Sequence, residues 1–135
     1  MAEKGGARVH GRDNWRSVLS AILLAKAAIA TFSLAPFLLG SYVDHVGLSA
    51  RQASQVLSIE IISIAIANVC AALLWIHRAN CFQWARRLLV LLIVLNLACI
   101  YAGNLSTLLV LRSAVGVTEG SLLAIGFEIS KAERR

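Results

Sequence analysis

The sequence predicts an all-α membrane protein of four transmembrane helices, with N- and C-termini both cytoplasmic. Three observations predict it. Of 135 residues, 59% are apolar and only 15% are charged. Soluble domains average about 45–50% apolar and about 25% charged, so this chain lacks the polar surface to cover a water-facing globule. The apolar residues fall into four runs, each near the roughly 20 residues a helix needs to cross the bilayer core. The net charge of +6 gathers in short segments between those runs. That is a membrane pattern rather than the basic face of a nucleic-acid binder.

The elements follow in order. Residues 1–16 form a polar cytoplasmic segment, 17–128 the membrane region and 129–135 a cytoplasmic tail. Helix 1 is predicted over 17–43, helix 2 over 54–76, helix 3 over 85–102 and helix 4 over 106–127. Helix 1 competes with a signal peptide. Its run is too long for a signal h-region and Lys26 interrupts it. Its small-x-small site, Ser33-Leu34-Ala35, is followed by Pro36, so it reads as a retained span. Ser49-Ala-Arg-Gln52 has the spacing of a capping box and predicts a short amphipathic turn leading into helix 2. Gly103-Asn104-Leu-Ser106 is a tight break with a capping residue, which makes helices 3 and 4 antiparallel neighbours.

Basic residues set the predicted orientation. Lys4, Arg8, Arg12 and Arg16 precede helix 1; Arg78, Arg86 and Arg87 form a basic loop between helices 2 and 3; Lys131, Arg134 and Arg135 follow helix 4. Against these stands Arg51 alone, between helices 1 and 2. Trp15, Trp75 and Trp84 lie near predicted membrane edges, where indoles anchor.

Four charges fall inside the spans: Lys26, Glu60, Arg112 and Glu119. A charge at the bilayer centre costs about 2.5–3.5 kcal/mol on insertion scales and normally faces a bundle interior or a wet cavity. With about 1.5 Å of rise per residue, Lys26 and Glu119 lie about 13 and 12 Å from the cytoplasmic face, and Glu60 and Arg112 about 9 Å below the outer one. The matched layers predict a Lys26–Glu119 pair and a Glu60–Arg112 pair. Bland readings compete: Lys26 snorkels to the cytoplasm, Glu60 reaches outer water, and the two helix 4 charges only tie helices together. On helix 4, Arg112, Gly116, Glu119, Leu123 and Gly126 share a stripe, with Gly120 at its edge. Gly116-Val-Thr-Glu-Gly120 is a small-xxx-small step that admits a second helix closely. A stripe of Lys26, Ala30, Ser33, Phe37 and Gly40 marks helix 1. Both helices read as cavity walls, and helix 3, apolar nearly all round, as lipid-facing.

Other chemistry has little support. Cys70, Cys81 and Cys99 form no CxxC pair, and His10, His45 and His77 are scattered. No metal, cofactor or nucleic acid is predicted. No nucleophile, base and orienter set indicates an enzyme.

Helix 4 carries a family likeness. Leu108-Leu-Val-Leu-Arg112, with Gly116 four residues on and Glu119-Gly120 following, resembles the fourth-helix signature of the major facilitator superfamily. Pro36-Phe-Leu-Leu-Gly40 and Gly47-Leu-Ser-Ala-Arg-Gln-Ala53 are similar to that superfamily's first external loop. The resemblance covers residues 18–135, the first four of the family's usual twelve helices. Its cytoplasmic motif departs: Trp75-Ile-His-Arg78-Ala-Asn-Cys-Phe-Gln-Trp84-Ala-Arg86-Arg87 keeps the basic pair but lacks the family's Gly and Asp. The resemblance implies a secondary active transporter for a small solute, working by alternating access in a plasma or bacterial inner membrane. It implies that helices 1 and 4 line the pathway, with Arg112 handling protons or substrate. Four helices cannot supply both halves of such a transporter. The expectation is therefore a truncated piece, whose partners are the bilayer, a small-molecule substrate with possible proton coupling, and a missing half or a second copy. The alternative is a small four-helix protein acting as an oligomeric transporter or as a non-transporting assembly subunit.

Overall fold

A computed structural model describes residues 19, 22–23, 26, 33–75 and 81–132. Its helices are α1 (Ala35–Asp44), α2 (Ala50–Trp75), α3 (Cys81–Ile100) and α4 (Leu105–Ala132). They fall on the four predicted helices. Upstream of α1, Leu19, Ile22, Leu23, Lys26 and Ser33 are helical as well. The N-terminal basic segment, Trp15, His10, His77, Arg78 and residues 133–135 lie outside the described residues, as does the side chain of Trp75.

Helix 1 is not the uninterrupted run 17–43. Leu34 leaves the helix as a turn, and α1 starts afresh with Pro36 in its first turn. Proline has no N–H to donate and its ring clashes with the carbonyl four residues back, whereas the first turn of a helix tolerates it. At the far end the His45 N–H donates to the Ser41 carbonyl at 2.9 Å and the Leu48 N–H to that of Tyr42 at 3.1 Å. Gly47 closes this link at φ +71°, a left-handed backbone that favours glycine.

The capping box forms and does more than predicted. The Ser49 N–H donates to Gln52 Oε1 at 2.9 Å, and the Gln52 N–H donates back to Ser49 Oγ at 3.3 Å. With its first donors satisfied, α2 starts directly at Ala50. There is no separate turn ahead of residue 54. At α4 the cap is Asn104, whose Oδ1 accepts the Thr107 N–H at 2.8 Å. α3 starts earlier than predicted, at Cys81, and ends at Ile100, while α4 runs on to Ala132.

α4 is the centre of the bundle. It packs most extensively on α2 and then along α3, while α1 rests on α2. The α2–α4 approach is close because two glycines permit it. A Cβ on Gly116 would come within 2.5 Å of the Glu60 carbonyl oxygen, and one on Gly120 would overlap the Ile64 carbonyl oxygen. The constant offset from 60 to 116 and from 64 to 120 shows that α2 and α4 run in the same direction, with ridges four residues apart facing each other. The core follows this seam, with Ala53, Val56, Leu108, Val115 and Leu122 fully enclosed.

Among its described side chains, α3 fully buries a narrow stripe, Ala85, Leu92 and Cys99, each seven residues after the last. Trp84, Leu88, Leu89 and Leu95 flank that stripe half-buried, while Val90, Leu91, Ile93 (60% exposed), Val94 and Leu97 (54%) point outward. Asn96 turns its amide onto the Leu92 carbonyl at 3.0 Å, so its polarity stays within the helix. α3 is thus the outward-facing helix that the sequence predicts. Among the described residues, three spans, Ala50–Leu73, Gln83–Ile100 and Leu105–Ile129, are long and apolar enough to cross a membrane. Their outward apolar surface would be costly in water and is suited to lipid. The described residues are all-helical, and three of their helices are suited to crossing a membrane.

Candidate functional site

One of the two expected charge pairs is present. Arg112 Nη1 donates to Glu60 Oε1 at 3.2 Å, joining α4 to α2. Both residues are enclosed, at 4% and 3% exposure. The pairing rests on register. Glu60 is ten residues from the start of α2 and Arg112 seven from the start of α4, or about 15 and 10 Å along the axes. The long arginine stem spans the difference. Gly116, one turn beyond Arg112, brings the two backbones close enough for the charges to meet.

Tyr42 of α1 completes the group. The Arg112 guanidinium carbon lies 5.5 Å from the centre of its ring, a cation–π distance. Tyr42 is 5% exposed, so three helices enclose the cation. Cys99 of α3 belongs to the same buried cluster. Sequence reasoning missed Tyr42, which reads as an ordinary interfacial tyrosine near a helix end. Cys70 and Cys99 are free thiols, the first exposed and the second buried.

The group is not saturated. Glu60 Oε2, Arg112 Nε and Tyr42 Oη are buried with no hydrogen-bond partner among the described residues. A buried polar group without a partner costs about 1–3 kcal/mol, so the cluster has capacity for a proton, a water or a polar solute group. Nearby hydroxyls do not compete. Ser113, Thr118 and Ser121 each donate to the carbonyl four residues back on α4, at 2.8 Å.

The other expected site residues are placed differently. Glu119 lies on the packed face of α4 at 0% exposure and has a partner. Lys26 is exposed on its helix, and the expected Lys26–Glu119 pair is not among the contacts of the described residues. On the helix 1 stripe, Ser33 and Phe37 are exposed and Gly40 half-buried. Ser33 and Phe37 therefore do not pack into the bundle, and the α1 residue that reaches the α4 cation is Tyr42. Gly116 and Gly120 are buried against α2. Arg86 and Arg87 are exposed in the first turns of α3. Among the described residues, no group of three His, Cys, Asp or Glu side chains is placed to hold a metal ion. No family model, curated protein or solved structure matches the chain.

Proposed function

We propose that the chain is part of a secondary active transporter of the major facilitator type, carrying a small solute across a cell membrane by alternating access. In this reading both termini face the cytoplasm, and the four helices work with further helices or with a second copy of the chain. The observation that carries the reading is the enclosed Glu60–Arg112 pair under Tyr42, with polar atoms still unpartnered. Ionisable groups inside a membrane bundle are expensive and mark solute or proton pathways by default. The helix 4 pattern from Leu108 to Gly120 supports it from the sequence side. The arginine favours an anionic solute, since its fork matches a carboxylate or phosphate.

The test uses the full chain in sealed vesicles under an imposed pH gradient. Uptake of radiolabelled organic anions and of matched cations is followed, with Arg112→Lys and Arg112→Gln as variants. Transport predicts anion uptake that falls by at least about tenfold in Arg112→Gln and partly survives in Arg112→Lys. Absence of uptake, with both variants changing only oligomeric state, would favour the assembly-subunit alternative.

A further inference from the structure

α3 carries two cations on the face it turns outward. Arg86 and Arg87 are exposed, and one turn further on the same face continues as Val90 and Leu91, then Ile93, Val94 and Leu97. They sit at one end of an apolar stripe, inside the span Gln83–Ile100. The uncharged stretch behind them, 88–100, measures only about 20 Å at helical rise, against a hydrocarbon thickness of about 30 Å. With the opposite edge of the hydrocarbon at Ile100, both residues root below the headgroup level of an ordinary bilayer. Their side chains lean toward the helix N-terminus, as all helical side chains do, which carries the charges toward the Cys81 end. Trp84 stands one turn up on that path. It is half-buried against the core, and the Arg87 guanidinium carbon lies 5.4 Å from its ring centre. No acidic residue occurs in the sequence between Glu60 and Glu119, so α3 has no carboxylate of its own to neutralise the pair.

We propose that Arg86, Arg87 and Trp84 form a seat for the phosphate of an anionic phospholipid. The lipid belongs to the leaflet at the Cys81 end of α3, and its acyl chains lie along the Val90–Val94–Leu97 stripe. The short span pulls that leaflet inward. The planar guanidinium fork then takes the phosphodiester oxygens, while the indole holds Arg87 in place. This is a site for a membrane lipid and is independent of any transport by the Glu60–Arg112 cluster.

The experiment uses the full chain with Trp15→Phe and Trp75→Phe, which leave Trp84 as its single indole. It is placed in phosphatidylcholine vesicles containing increasing fractions of phosphatidylglycerol brominated on its acyl chains, and separately brominated phosphatidylcholine. The expected result is stronger quenching of Trp84 by the anionic lipid at equal mole fraction. The half-quenching fraction should rise about fivefold in either Arg86→Gln or Arg87→Gln. Arg86→Lys with Arg87→Lys, which keeps the charge, should retain a preference for the anionic lipid, and Arg51→Gln at the opposite end should change nothing. Equal quenching by the two lipids would overturn the proposal. So would a preference that survives loss of both arginines. A preference abolished by millimolar inorganic phosphate would also overturn it, assigning the arginines to free anions instead.

Discussion

α3 and α4 are neighbouring helices, both apolar enough to span a membrane, that treat charge in opposite ways. Within their spans, 56% of α4 is buried in the bundle against 17% of α3. α4 keeps Arg112 deep and matches it with Glu60 on α2 and the face of Tyr42 on α1. α3 keeps Arg86 and Arg87 exposed near one end, with the Trp84 indole beside Arg87. The difference lies in what each position can reach. Ten ångströms or so inside the bundle, a guanidinium needs a partner from another helix, since lipid offers none. Near a helix end, the same group leans out to headgroups and water. Apolar content makes both helices membrane helices. The depth and facing of the few charges make one a core element and the other a lipid-facing one.

This contrast can be broken by substitution, with unfolding followed in mixed micelles. The largest effect is expected at the buried pair. Arg112→Leu leaves Glu60 without its cation in the core and should cost about 3–5 kcal/mol, whereas Arg86→Leu should not approach that. Next comes the packing of the two helices. Leu122→Ala, at a side chain that is fully enclosed, should cost about 2–5 kcal/mol through the cavity it leaves. Leu97→Ala on the outer face of α3 should stay within about 0.5 kcal/mol. A comparable loss at Leu97 would mean that α3 is covered by protein rather than lipid. The smallest core effect is overpacking at the glycine seam. Gly120→Val thrusts a side chain at the Ile64 carbonyl oxygen and should cost about 1–3 kcal/mol. It should also weaken the Glu60–Arg112 contact by parting α2 from α4.

Much of this fold is legible in the residues. Four apolar runs give four helices, Ser49 and Gln52 announce the start of α2, and Asn96 alone does not draw α3 inward. The Glu60–Arg112 layer follows from counting residues, because helical rise is constant and both helices start at the same end of the bundle. The Gly116–Gly120 step announces a close neighbour without naming it, and that neighbour is α2. What the residues did not disclose was lateral order. Depth says nothing about which helices touch, so Lys26 and Glu119 matched in layer but not in contact. Pro36 was legible as a poor cleavage position, and its breaking of helix 1 was the part left unread. Tyr42 reaches the cation from the last turn of α1, a lateral contact of the same unreadable kind.

The central claim is that Glu60 and Arg112 form one buried unit that holds α2 and α4 in register. A double-mutant cycle with Glu60→Gln, Arg112→Gln and the double variant, read as unfolding free energy in mixed micelles, tests it most directly. The account predicts that the double variant is less destabilised than the sum of the single ones, with a coupling of about 1–3 kcal/mol. Additivity within about 0.5 kcal/mol would show that the two charges act independently and would contradict it.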